Sequence, residues 1–291
     1  ADAVTALQGR AAGPQDWVEL TRTIHSLHQA GLLTATEEPA HLPSVPRQFD
    51  DLALHIGMLD DETRTSAFVA GIREVVRPGD VVVDLGTGTG VLAVAAAQAG
   101  ARHVYAVEAG AIGDAARTVF ETNGLTDRIT LVEGWSHQLT LPERADVLVT
   151  ETIGHDPFGE HVLESVRDAR TRLLVPGARI VPGTVRLLVL PVEVPEQVVA
   201  EHRVTRAAAA RWQDRYGVAF DSLVDVAPQL WSTSPAKARG WKPVAPPVLV
   251  VEVDLATMQH ATIDASVDCT VDAPGHLNGL LVCFELLVSP T

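Results

Sequence analysis

The chain has 291 residues, with 22 lysines and arginines against 37 aspartates and glutamates, which gives a formal net charge of −15. This acidic balance disfavours a nucleic-acid partner and favours cationic ones, and the length is enough to bury one large or two modest cores. No apolar run approaches the roughly 20 residues that cross a bilayer, no targeting leader is recognisable, and Cys269 and Cys283 stand apart from any Cys/His cluster. We therefore expect no membrane contact, no metal site, no disulfide framework and a cytoplasmic location.

Residues 1–48 are predicted to form a helical segment followed by a linker. Apolar residues recur at helical spacing over residues 16–30, behind an Asp16 cap: Trp17, Leu20, Ile24 and Leu27. The proline-containing stretch over residues 37–48 ends this helix and predicts an irregular connection to the rest of the chain.

Short apolar runs alternate with helical patterns over residues 49–182. The Ala-rich run over residues 92–100 predicts a helix that stops at Gly100. Four runs predict strands: 81–85, 103–109, 129–134 and 146–151. Strands that alternate with helices predict a doubly wound, Rossmann-like parallel sheet, whose ligands bind beyond the carboxyl ends of the strands.

The pattern changes after Pro182, and residues 183–291 predict a second, all-β domain. Four runs rich in apolar and β-branched residues predict its strands: 184–194, 247–256, 261–271 and 277–288. A helical insertion over residues 201–216 interrupts the series, within an arm of about 196–225. We predict an α/β domain followed by a β-barrel-like domain with a helical arm.

A glycine-rich turn follows the first predicted strand in the sequence "VVVDLGTGTG". Asp84 precedes the alternating glycines Gly86, Gly88 and Gly90, and Glu108 closes the next strand. Glycine lets the backbone turn sharply and approach a ligand, and a carboxylate at the second strand end can accept both ribose hydroxyls. This pattern resembles class I S-adenosylmethionine methyltransferases, whereas the nicotinamide pattern has an additional residue between the second and third glycines.

Two glutamates flank a broken loop at the end of the fourth predicted strand. Glu151 and Glu160 are separated by Gly154 and Pro157, which prevent a continuous helix. The acids either turn toward one cationic ligand or belong to the surface, with Glu160 capping the helix that follows. The residues alone leave both interpretations open.

From about Phe49 to Phe284 the chain resembles the protein arginine methyltransferase family, through "LHIGMLDDETRTSAF" and "TETIGHDPFGE". The resemblance implies that Glu151 and Glu160 grip a guanidinium. For the proton that methyl transfer releases, the hypothesis names Glu160, or His155 through water, as the acceptor. It places substrate-pocket positions at Phe49 and Met58, and S-adenosylmethionine-binding positions at His55, Arg64, Asp84, Gly86, Gly88, Gly90, Glu108 and His137.

Several positions depart from the family pattern. Thr152 and Ile153 replace a Trp-Met pair, His155 replaces a tyrosine, and His137 replaces the glutamate that contacts adenine. Phe49 and Val45 stand at two tyrosine positions, and no Thr-His-Trp loop occurs before Thr291. These differences favour a small acceptor: an amino acid, a peptide or a metabolite.

The preferred hypothesis is methyl transfer from S-adenosylmethionine to a guanidino nitrogen of arginine or an arginine-like small molecule or peptide. A second hypothesis keeps the enzyme but assigns a non-guanidine acceptor methylated on oxygen, nitrogen or carbon, with His155 or Glu151 as general base. A third is a non-catalytic partner subunit. The resemblance also implies a homodimer formed through the helical arm and the cofactor domain.

Overall fold

The computed structural model describes residues 47–289 apart from residues 225 and 227–229. The predicted helix over residues 16–30 and most of the predicted linker lie outside this range, which begins with a 3₁₀ turn at Arg47–Asp50. From Arg47 onward the chain forms one compact unit that contains two sheets. The predicted domain boundaries at residues 48 and 182 remain predictions.

The first sheet is the predicted doubly wound parallel sheet. Its strands are β1 (Val81–Leu85), β2 (His103–Glu108), β3 (Ile129–Glu133), β4 (Ala145–Thr150) and β5 (Leu174–Val181). They lie in the order β3-β2-β1-β4-β5, and every neighbouring pair is parallel. All five residues of β1 are buried, as expected for a central strand covered on both faces, and Asp84 is the one polar residue among them.

Five α-helices belong to this part of the chain: α1 (Leu52–Asp60), α2 (Glu62–Val75), α3 (Val91–Gln98), α4 (Gly113–Thr122) and α5 (Val162–Arg172). One face of the sheet packs on α2, α3 and α4, through residues such as Phe68, Ala93 and Phe120. The opposite face packs on α5 through Leu163 and Val166. Helices on both faces leave the carboxyl edge of the strands free for a site.

The second sheet is antiparallel and is built around β6 (Thr184–Glu193). The other strands are β7 (Lys242–Pro243), β8 (Val248–Asp254) and β9 (Gly279–Leu287), and each of them pairs with β6. The helical arm consists of α6 (Glu196–Glu201) and α7 (Arg206–Tyr216), and α8 (Pro235–Ala238) follows it. Closure of this sheet into a barrel stays a prediction.

The predicted strand over residues 261–271 is wrong. Its alternation of apolar and polar residues satisfies the period of a strand, but no strand of the described chain pairs with it and residues 262–272 are exposed. A strand needs a hydrogen-bonding neighbour as well as a pattern.

The two sheets share an apolar layer. Val185 of β6 and Leu255, just after β8, are fully buried in the same cluster as Val83 and the residues of α5. The Gly183 N–H donates to the Leu287 carbonyl at 2.9 Å, which ties the start of β6 to the end of β9. Among the described helices, none combines the length and apolarity that would be needed to span a bilayer.

Candidate active site

The glycine-rich turn lies between β1 and α3, at the carboxyl edge of the first sheet. Gly86, Gly88 and Gly90 have φ values of +74°, +54° and +85°, which L residues with a side chain adopt only with strain. A Cβ at Gly86 would lie 2.6 Å from Thr152 Cγ2, and one at Gly88 would lie 2.9 Å from the His55 ring. Both glycines are therefore required for the close approach of Thr152 and of His55 in α1.

Asp84 is a buried acid directly before this turn. Its Oδ2 accepts a hydrogen bond from the Thr87 hydroxyl at 2.6 Å, whereas its Oδ1 has no hydrogen-bond partner among the described residues. Burial raises the pKa of Asp84 to about 7, against the lowering effect of the Thr87 hydrogen bond, and the negative charge of Glu108 adds to the increase. An unpaired buried oxygen at a strand end is a place where a ligand donor fits.

Glu108 ends β2 and connects two backbone turns. Its Oε2 accepts from the Gly88 N–H at 2.9 Å and its Oε1 accepts from the Gly110 N–H at 2.8 Å. Because each carboxylate oxygen has two lone pairs, both oxygens can accept a further donor. This arrangement suits the recognition of two adjacent hydroxyl groups.

Glu151 follows the last residue of β4, so the predicted end of the strand was one residue too long. Its side chain is 11% exposed, and its Oε1 accepts from Arg64 Nη1 of α2 at 3.3 Å. The Arg64 Nη2 donates to the Met58 carbonyl at 2.8 Å. Burial raises the pKa of Glu151 to about 7; the positive charge of Arg64 opposes this, and the negative charge of Glu160 adds to it.

Glu160 is folded back over the loop that begins with Glu151. A Cβ at Gly154 would collide with Glu160 Oε1. Burial raises the pKa of Glu160, and the exposed His155 opposes this shift through its charge. The capping interpretation is wrong, because α5 begins at Val162 with His161 at its N-cap and receives no side-chain cap.

A cavity of about 60 Å³ brings together predicted residues from three parts of the chain. His55, Met58, Arg64, Gly86, Gly88 and Glu151 line it. His55 is 6% exposed, and its Nε2 donates to the carbonyl oxygen of Phe49 at 2.9 Å. The backbone of Phe49 therefore holds the His55 ring in place. Within the described residues, no group of three or more His, Cys, Asp or Glu side chains could hold a metal ion.

Some predicted residues lie elsewhere, and some lining residues were not predicted. His137 is exposed within a 3₁₀ turn at Ser136–Gln138, with its ring 6.1 Å from that of Trp135, and it does not line the cavity. Thr87 and Thr89 do line it, as does Leu59. The two threonines lie between the alternating glycines, and this position in the sequence could have predicted that they line the cavity.

Known methyltransferases are similar to this chain in sequence. The family model described as ribosomal protein L11 methyltransferase (PrmA) matches residues 61–181. Protein arginine N-methyltransferase 6 of Danio rerio is 35% identical over 205 residues, which cover 70% of this chain and 56% of the relative. The chain is therefore similar in sequence to arginine methyltransferases and has a class I methyltransferase fold.

Solved structures of arginine methyltransferases have the same fold as this chain. Protein arginine methyltransferase 10 of Arabidopsis thaliana aligns with a TM-score of 0.67 at 27% identity, over 82% of this chain and 74% of that one. The Trypanosoma brucei PRMT1 enzyme-prozyme complex with AdoHcy aligns with a TM-score of 0.69 at 24% identity, over 84% and 78%, which shows the fold alone. The chain spans about half the length of the curated relatives that it matches first.

Proposed function

We propose that this protein transfers a methyl group from S-adenosylmethionine to a guanidino nitrogen of arginine, or of an arginine-like small molecule or peptide. The observation that carries the proposal is the buried Glu151, which lines the same cavity as Gly86 and Gly88. A carboxylate at that place can bind a cation beside the cofactor turn. The names of the relatives, which are arginine methyltransferases, support the same acceptor class.

The residues of the turn fit an adenosine-containing cofactor. Glu108 has oxygens for the ribose hydroxyls, the Gly86–Gly88 backbone permits close approach, and Asp84 Oδ1 lacks a partner. Arg64 can pair with a carboxylate of the cofactor. The cavity of about 60 Å³ is smaller than a nucleoside and Glu108 does not line it, so the proposed cofactor extends beyond the cavity toward Glu108.

The mechanism at the acceptor depends on the positive charge of the guanidinium and the negative charges of the two glutamates. When bound, S-adenosylmethionine supplies an electrophilic methyl carbon on a positively charged sulfur. Glu151 and Glu160 bind the guanidinium and draw its positive charge to their side, which leaves electron density at the opposite nitrogen. The partial burial of both acids strengthens this interaction relative to water. Holding the nitrogen in place then provides most of the acceleration.

The nitrogen that gains the methyl group must lose a proton. Free guanidinium has a pKa above ~12, so deprotonation before transfer is unfavourable. The carboxylate of Glu160 accepts the proton, and the exposed His155 next to it in the loop passes the proton to solvent. Burial already raises the pKa of Glu160, which makes it a better proton acceptor than an exposed glutamate.

The proposal predicts which acceptors work and how the rate depends on pH. With labelled S-adenosylmethionine, free arginine, simple guanidines or arginine peptides should be methylated. Because Glu151 has a pKa of about 7 and binds the guanidinium only when ionised, kcat/KM for the acceptor should increase roughly tenfold from about pH 6 to about pH 8 and then level off. Scintillation counting of the separated products measures both effects.

A control separates Glu151 from Asp84, whose pKa is also about 7. Calorimetric affinity for S-adenosylhomocysteine, measured over the same pH range, detects a titration of Asp84, which lies directly before the glycine-rich turn. A step in acceptor kinetics without a matching step in cofactor affinity supports the assignment to Glu151. Methylation confined to hydroxyl or carbon acceptors would instead support the second hypothesis, for which a glutamate with a pKa of about 7 is a suitable general base.

We also propose that two copies of the chain associate through the helical arm and α1. In α1, Leu52, Ile56 and Leu59 are 52%, 52% and 42% exposed at the i, i+4, i+7 spacing of one helix face. Exposed acids flank this helix at Asp51, Asp60, Asp61 and Glu62, whereas α7 carries exposed Arg206, Arg211 and Arg215. The opposite charges favour contact between α7 of one copy and α1 of another.

Charge reversal tests this association. The double change Arg206→Glu with Arg211→Glu should weaken dimerisation roughly tenfold or more, because like charges would then face each other. Adding Asp60→Arg with Glu62→Arg should restore it, while Arg239→Glu, at an exposed position outside the arm helices, should have no effect. Sedimentation velocity measures all four proteins. A wild-type chain that stays monomeric at micromolar concentration would contradict the proposal.

A further inference from the structure

Two threonine hydroxyls connect the ends of β1 and β4. Thr150 pairs in register with Leu85, and the Thr150 hydroxyl donates to the Leu85 carbonyl at 3.1 Å. The hydroxyl oxygens of Thr150 and Thr152 are also 3.1 Å apart. Since a hydroxyl has one proton and Thr150 gives it to Leu85, the Thr152 hydroxyl is the donor to Thr150. Thr150 is 1% exposed, so water does not compete for its hydroxyl group.

The methyl group of Thr152 has a second contact. Its Cγ2 occupies the space beside Gly86, where a Cβ would lie only 2.6 Å away. A β-branched side chain has a stiff χ1 angle, so fixing the hydroxyl also fixes the methyl group. The hydroxyl of Thr152 therefore anchors the start of the loop over residues 151–160, and the stiff χ1 angle places the methyl group against the start of the glycine-rich turn.

We propose that Thr152 is a positioning residue that sets the place of Glu151 relative to the cofactor turn, an inference that rests on the function proposed above. Glu151 lies between Thr150 and Thr152, so this hydroxyl chain holds its backbone on both sides. The negative charges of Glu160 and Asp84 disfavour an ionised Glu151 at this place, and Arg64 is the cation that opposes them. Without the threonine chain, Glu151 can turn toward solvent, and a displacement of about 1 Å can cost up to ~100-fold in rate.

Two substitutions separate the hydroxyl from the volume of the side chain. Thr152→Val keeps the branched shape but removes the hydrogen bond, and it should lower kcat for methyl transfer to an arginine peptide roughly tenfold. Thr152→Ser keeps the hydroxyl and should stay within about threefold of the wild type. Affinity for S-adenosylhomocysteine should change less than about twofold in both, because the glycine turn itself is intact. Thr140→Val, at an exposed position, is the matched control.

Hydrogen exchange provides a measurement that does not depend on turnover. In the ligand-free protein, amides of residues 151–160 should exchange roughly tenfold faster in Thr152→Val, with no change in Thr152→Ser or Thr140→Val. Equal behaviour of Thr152→Val and Thr140→Val would overturn the inference, as would equal loss in the valine and serine variants. Faster exchange throughout the protein would also overturn it, because that result indicates a general structural role.

The same set of variants distinguishes a failure of the positioning role of Thr152 from a failure of the proposed function. If Glu151→Gln abolishes transfer while Thr152→Val behaves as wild type in kinetics and exchange, the positioning role is wrong and the proposed function stands. If Glu151→Gln remains active, the proposed function is wrong, and exchange of residues 151–160 still decides whether Thr152 anchors the loop.

Discussion

Replacing Glu151 by glutamine should lower kcat/KM for an arginine peptide by roughly 100- to 1000-fold, the scale seen when one charge-stabilising group is removed from an active site. Glutamine is nearly isosteric, but it is neutral and cannot draw positive charge away from the reacting nitrogen. Its amide oxygen can still accept from Arg64, whose other hydrogen bond goes to the Met58 carbonyl. We therefore expect affinity for S-adenosylhomocysteine, measured by calorimetry, to remain within about threefold of wild type.

Glu143→Gln is the matched control for this substitution. Glu143 also pairs with an arginine, Arg102 at 2.6 Å, but both side chains are exposed, and Glu143 lies before β4 instead of after it. Exposed ion pairs contribute about 1 kcal/mol or less, so activity should be unchanged. The melting temperature of Glu151→Gln should not fall, because a neutral amide replaces a buried acid whose ionisation is already disfavoured. Near-normal turnover in Glu151→Gln would remove the basis for a guanidinium pocket.

The central sheet could be predicted from the sequence because its strands carry a local signal. The run "VVVDL" begins with three β-branched valines, is fully buried and is followed by Gly86, so β1 appears at its predicted residues. The strand over residues 261–271 had an equally regular pattern and was wrong, since pairing depends on a neighbour that the pattern does not contain. Local periodicity determines which face is apolar; it does not determine whether another strand lies beside it.

Some residues of the site could likewise be placed from the sequence, and others could not. The glycines and Glu108 are close in sequence to the strands that place them, so their role follows from spacing. Arg64 and Glu151 are 87 residues apart, and only the family resemblance brought them to one site. The Thr150–Thr152 hydroxyl chain had no signal, because it depends on side-chain rotamers at the end of β4. For His137 the sequence suggested a role that the geometry does not support. Its position matched a family residue, but its side chain is exposed outside the cavity.

Replacing Glu108 by glutamine should weaken binding of S-adenosylhomocysteine roughly 100-fold, as measured by calorimetry. The carboxylate accepts from the N–H groups of both Gly88 and Gly110, and glutamine has only one oxygen for these two donors. One backbone donor then faces an amide NH₂ and loses its partner, and one ribose hydroxyl loses its acceptor. The backbone donor loses its partner in the free protein as well, so the lost hydrogen bond to the ribose determines the change in affinity. A charged hydrogen bond contributes about 1.5–3 kcal/mol, which corresponds to roughly 10- to 150-fold.

Glu133→Gln isolates this effect from the general loss of a negative charge at the sheet edge. Glu133 is the register partner of Glu108 on β3, but its side chain is 67% exposed and pairs with Arg117. Both variants change the net charge equally, yet only Glu108 contacts the glycine turn, so cofactor affinity should fall in Glu108→Gln alone. An equal fall in both would mean that the potential at the sheet edge determines cofactor binding. An unchanged affinity in both would mean that the cofactor does not bind at the turn after β1, and the acceptor site at Glu151 would then lack a methyl donor beside it.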